Sequence, residues 1–186
     1  MNRNLFTMEL RRNAPALIIW SVIICVFIIL TMMVYPVFLA NQSKIVAMLS
    51  IVPKGALQFK GISNFDDLMS VLVLEGANKV IYVLGLGGNF SVFMSSSILL
   101  REEYNRTAEY LLTRPVTRSE VFFSKGAVVL IWILILNLLT AFAGYVSMEI
   151  VKTGPYNVNA FIILSISTLL LNILFGAAGL FISVLV

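Results

Sequence analysis

Hydrophobic and charged positions segregate along this chain on the scale of whole helices. Four runs contain no Asp, Glu, Lys or Arg: Asn13 to Ser43, Val80 to Leu100, Gly126 to Met148 and Thr153 to Val186. Each meets or exceeds the roughly 20 residues a helix needs to cross about 30 Å of hydrocarbon. A bilayer core has no water to satisfy backbone groups, so apolar runs of this length must be helical. The pattern predicts an all-α integral membrane protein, a polytopic bundle with four spans forming one transmembrane domain over 1–186. The spans are placed at 14–40, 80–100, 121–148 and 159–186.

The segments between the spans have their own patterns. Residues 1–13 read as an amphipathic interfacial helix, with Leu5, Met8 and Leu10 apolar and Arg3, Glu9, Arg11 and Arg12 facing water and headgroups. Pro15 suits the first turn of the span that follows, and Tyr35-Pro36 marks its far end. Segment 41–79 mixes apolar residues with Pro53, then offers a helix start at Ser63-Asn64-Phe65-Asp66-Asp67. That helix feeds the second span. Glu75 and Lys79 sit four apart on it and are expected to neutralise each other near the interface. In segment 101–120, Tyr104, Ala108, Leu111 and Leu112 form one apolar stripe, with Glu102, Glu103, Arg106 and Glu109 on other faces. Pro115 disfavours helix at Arg114. Thr117-Arg118-Ser119-Glu120 is a capping box that starts the third span.

Composition agrees: 60% of the 186 residues are hydrophobic and 12% charged, against about 25% charged in a soluble domain. The net charge of +4 does not point to nucleic acid, because its distribution follows the spans. Arg3, Arg11 and Arg12 precede the first span; Arg101, Arg106, Arg114, Arg118 and Lys125 lie between the second and third. The other loops hold only Lys44, Lys54, Lys60, Lys79 and Lys152. The positive-inside rule therefore places the N-terminus and segment 101–120 in the cytoplasm, and segments 41–79 and 149–158 outside. The first run is too long for a secretory signal and lacks a small-residue cleavage site. Cys25 is the one cysteine, so no internal disulfide forms, and there is no His. The last run reaches Val186 without a polar tail, from which a C-terminally truncated chain is expected.

Candidate chemistry is sparse. Gly85, Gly87 and Gly88 follow no strand and precede no Lys-Ser/Thr, so they serve helix packing and not phosphate binding. No Gly-x-x-x-x-Gly-Lys-Ser/Thr loop is present, and no acid, His or Cys constellation points to a hydrolase. The apparent membrane cores carry no charge, which argues against an ion-coupled carrier. Asn89, Ser91, Ser95 to Ser97, Asn137, Thr140, Ser165, Thr168 and Asn172 can face a pathway or bond neighbouring helices. The second is the commoner use, and no substrate site is assigned.

The string from Arg101 to Arg118 resembles the first cytoplasmic loop of ABC-2-type transporter permeases. The matching positions are Glu102, Glu103, Thr107, Glu109, Leu111, Leu112, Pro115, Val116, Thr117, Arg118 and Lys125; Arg106 stands where the family usually has Gly. The resemblance implies the membrane-spanning subunit of an ATP-driven exporter in the plasma membrane. It implies a partner cytoplasmic ABC ATPase subunit that binds ATP and Mg, so no cofactor in this chain. It also implies a second permease copy, as homo- or heterodimer. The loop would be the coupling helix that docks on the ATPase through Glu102, Glu103, Tyr104, Arg106, Thr107, Ala108, Glu109, Leu111, Leu112, Pro115 and Arg118. Family members usually have six spans, in keeping with truncation. A non-transporting membrane scaffold or sensor, and less so an ion-coupled carrier, are the alternatives.

Overall fold

The computed structural model describes residues 3–41, 43–44, 71–104, 118–152 and 156–185. Helix α1 (Arg3–Met33) is followed by the short α2 (Tyr35–Ala40), with Val34 N bonding Thr31 O between them. Helix α3 (Val71–Ile81) runs into a π-helical segment (Tyr82–Gly87) and then α4 (Gly88–Tyr104). Helices α5 (Arg118–Val151) and α6 (Val158–Leu185) complete the described chain. Among the described residues, four stretches are long and apolar enough to cross a membrane: Phe6–Val37, Val71–Leu100, Ser119–Val151 and Val158–Val184.

Residues 3–13 are continuous with the first span. At 31 residues, α1 is about 46 Å long at 1.5 Å per residue. Pro15 lies inside it, so one backbone hydrogen bond is missing there. Glu9, fully covered, accepts hydrogen bonds from Arg12 and from Asn13 Nδ2, while Arg11 and Arg12 remain exposed.

Residue pairings give the topology. Thr31 meets Tyr82 and Trp20 meets Phe90, so α1 runs antiparallel to the second span. Gly76 lies by Leu164, Gly87 by Asn172 and Gly179 by Ser95, so the second and fourth spans run parallel. Asn137 bonds Asn172, Gly176 lies by Ile133 and Gly126 by Leu180, so α5 is antiparallel to α6. The most extensive contacts are α1 on α5 and α4 on α6. The up-down-up-down path puts Arg3, Tyr104, Arg118 and Leu185 at one end, and Ala40, Val71, Val151 and Val158 at the other.

The distribution of polarity is the reverse of a soluble bundle. Ile18, Val22, Phe27, Phe93, Leu138, Phe142, Leu174 and Phe181 point outward, while Ser91, Ser95, Asn137 and Asn172 are buried. Outward apolar side chains meet lipid, and inward polar ones find partners on neighbouring helices. The second span has the least apolar window, with mean hydropathy 1.5 against 3.0 for the first, and is also the most covered by protein. Its interior face is built from Tyr82, Phe90, Met94 and Ile98, which join Leu17, Ile24, Ile28, Val128, Val129, Trp132, Ile133 and Leu136 in one core.

Candidate functional site

Four charged side chains are buried among the described residues, Glu9, Glu75, Lys79 and Lys125, and two of them lie together on α3. Glu75 is 0% exposed and Lys79 8% exposed, one turn apart on α3. The sequence reading left the membrane cores free of charge and set this pair near an interface. Both lie on the described helix Val71–Ile81 that runs on into 80–100, with Glu75 against Gly144 of α5 and Lys79 against Phe161 and Ser165 of α6. Charge-free runs mark where ionisable residues stop, and a helix can begin before that point when its neighbours supply cover.

Each of the pair is held differently. Lys79 Nζ donates to Ser165 Oγ at 2.8 Å and stands 4.0 Å from the centre of the Phe161 ring, both on α6. A hydroxyl and a ring face are what a buried ammonium needs when water is absent. Glu75 lies against Gly144 of α5, and neither of its carboxyl oxygens has a hydrogen-bond partner. A buried polar group without partners is costly and is uncommon in structural cores.

The π-helical segment follows directly. Its wider turn displaces the helix register, a local departure found often at functional sites. Tyr82, at its start, shares a hydrogen bond with Thr31 Oγ1 and donates to Phe27 O at 3.3 Å on α1. Gly87, at its end, lies against the Asn172 amide, which sits within 3.0 Å of where a Cβ would stand. Asn89 Nδ2 donates to Gly85 O, and Ser91 Oγ to Gly87 O, so side chains take up carbonyls around the irregular turn. Between α1, the π-segment, α5 and α6 is a cavity of about 30 Å³, with Lys79, Tyr82, Asn137, Thr140, Ser165, Thr168 and Asn172 among its walls.

Most polar residues singled out in the spans serve packing. Ser95 Oγ donates to Ser91 O, Ser96 Oγ to Val92 O, Thr140 Oγ1 to Asn137 O and Thr168 Oγ1 to Leu164 O, all on their own helices. Asn172 Nδ2 donates to Asn137 Oδ1 at 3.1 Å across α6 and α5.

At the opposite end of the bundle lies the second region of interest. Lys125, 1% exposed on α5, donates to Ile98 O on α4 at 2.6 Å. This bond ties the two helices that bracket the segment read as a coupling helix. Glu102, Glu103 and Tyr104 belong to the last turn of α4, and Arg118 opens α5. Arg106, Thr107, Ala108, Glu109, Leu111, Leu112 and Pro115 lie outside the described residues.

Four apolar helices with polar groups turned inward define a polytopic α-helical membrane protein. The chain belongs to the ABC-2 family: a family model described as an ABC-2 family transporter protein matches residues 7–186. Comparison with curated proteins and with solved structures returned no match.

Proposed function

We propose that this chain is the permease subunit of an ATP-driven exporter in the plasma membrane, with its N-terminus in the cytoplasm. A separate ABC ATPase subunit binds ATP and Mg and docks on segment 101–120, and a second permease copy completes the export path. The observation that carries this reading is the family match over 7–186, reinforced by the Arg101 to Arg118 motif. The bond from Lys125 to Ile98 supports it mechanically, since force applied to the segment between α4 and α5 reaches helices already linked to each other. The chain itself performs no hydrolysis on this reading.

The test is purification of the tagged chain in mild detergent with identification of stoichiometric partners. A soluble protein with a phosphate-loop ATPase is expected, and Leu111→Asp with Leu112→Asp should release it while leaving membrane insertion intact. A well-folded chain with no ATPase partner would favour a scaffold.

A second reading has one specific observation behind it. Glu75 is a buried intramembrane acid with no hydrogen-bond partner, the type of group that ion-coupled carriers use. Proton flux through ATPase-free proteoliposomes, followed with a pH-sensitive dye and abolished by Glu75→Gln, would establish it. Absence of flux in the wild type would remove it.

A further inference from the structure

The spacing of Glu75 and Lys79 predicts an ion pair that the structure does not form. The two residues stand one turn apart on α3, where side chains at i and i+4 have Cβ atoms about 5–6 Å apart and Glu before Lys is the favourable order. Yet neither carboxyl oxygen of Glu75 has a hydrogen-bond partner. Lys79 Nζ instead goes to Ser165 and the Phe161 ring of α6. A carboxyl that is 0% exposed has lost its water without gaining a donor, which is a costly condition.

The missing donor has a near source on the same helix. An ammonium has three N–H groups, and Ser165 Oγ takes one of them. Lys79 borders a groove of about 210 Å³ between α3 and α6, which leaves its four-carbon stem room to turn. Glu75 borders neither that groove nor the inner cavity, so a ligand held in either one is no substitute donor. The Phe161 ring lies beside both ends of the swing. Its centre is 4.0 Å from Nζ, and its edge is 3.7 Å from the Cβ position of Gly144 against which Glu75 rests.

We infer that Lys79 is a latch with two seats: bonded to Ser165 and stacked on Phe161 it fastens α3 to α6, and paired with Glu75 it lets α6 go. The first seat satisfies the ammonium and leaves the carboxyl bare. The second satisfies both, and Ser165 loses little, because its hydroxyl already donates to Phe161 O at 2.9 Å. The swing needs side-chain rotation only. Release removes a polar tie just before the π-helical segment, which begins at Tyr82, and so loosens the part of the second span that precedes the irregular turn. The latch involves no ATPase and stands apart from the exporter reading.

Disulfide trapping between the two helices tests it. Gly76 faces Leu164 across α3 and α6. In a chain with Cys25 replaced, Gly76→Cys with Leu164→Cys gives a cross-link whose rate in membranes follows how closely the helices stay together. Ser165→Ala should slow that rate by about twofold or more, by sending Lys79 to Glu75. Adding Glu75→Gln should restore most of it, since the second seat is gone and the Phe161 ring remains. In a Lys79→Met chain, Glu75→Gln should change nothing. Equal slowing by Ser165→Ala with and without Glu75→Gln would make Ser165 a packing residue and overturn the latch. So would an unchanged rate in Ser165→Ala, or a Glu75→Gln effect that persists without Lys79.

Discussion

A methyl group on Gly144 would lie 2.6 Å from Glu75 Oε1, so the backbone of α5 forms the wall against which this buried carboxyl rests. The Phe161 ring stands on the same side, 3.7 Å from that methyl position. Gly144→Ala should therefore displace the Glu75 carboxyl, the end of a flexible side chain, and cost about 1 kcal/mol, the low end of overpacking penalties. Thermal unfolding in nanodiscs measures it, and Glu75→Ala in the same chain should remove most of the loss. Equal penalties with and without Glu75 would show that the clash lies elsewhere.

The packing of α6 on α4 at Gly179 makes a sharper contrast. A Cβ on Gly179 would collide with Ser95 Oγ and stand 3.0 Å from Val92 O, whereas one on Gly85 meets nothing within 4 Å. Backbone cannot rotate aside as a side chain can. Gly179→Ala should lower stability by about 1–3 kcal/mol, the usual cost of overpacking. Gly85→Ala should stay within about 0.5 kcal/mol, as an exposed substitution does. Comparable losses at the two positions would mean that the helices are not held at this spacing.

Lys125 offers a link from packing to proposed function. Its bond to Ile98 O is charge-assisted and buried, and such bonds contribute about 1.5–3 kcal/mol. Lys125→Met keeps the length of the stem and removes the donor. The expected outcome is that fall in stability, together with reduced stimulation of a bound ATPase by the permease. Full stimulation in a destabilised Lys125→Met chain would separate the bond's structural role from coupling.

The fold was largely legible because lipid imposes a simple rule. Charge-free runs located all four spans, and the alternation of positive loops agreed with the up-down-up-down path later seen in the Thr31–Tyr82 and Asn137–Asn172 pairings. The Glu75–Lys79 pair was legible but its burial was not, since a charge reads as the end of a span whatever covers it. Its signals were present, in the four-residue spacing and in Ser165 placed to receive an ammonium, but the second depends on how α6 lies. The cavity arises from three helices and a π-turn, and no local pattern announces it. The coupling segment was read from resemblance, and residues 105–117 lie outside the described part.

A pH effect is expected at the loop between α5 and α6. Partial burial, and then the Glu149 carboxylate that accepts its hydroxyl at 2.7 Å, push Tyr156 from 10.0 up to about 12. A raised value means that the folded state keeps the proton after the unfolded chain has lost it. The contribution to stability is thus complete below pH 10 and disappears as pH rises through 12. Tyrosinate absorbance should show a late-titrating component that Tyr156→Phe removes. An unchanged titration would place this hydroxyl in ordinary solvent.

The topology can be tested without knowing substrate or partner. Arg3, Tyr104 and Arg118 share one end of the bundle, while Val71, Val151 and Val158 share the other, as the helix pairings require. The basic residues Arg11, Arg12 and Lys125 lie toward the first end, and the positive-inside rule predicts a cytoplasmic side for it. In a chain with Cys25 replaced, Asn105→Cys should resist a membrane-impermeant thiol reagent in intact cells and react after permeabilisation. Lys60→Cys should react in intact cells. The opposite result at both positions would invert the chain and move segment 101–120 away from any cytoplasmic ATPase, leaving the exporter reading without its docking element.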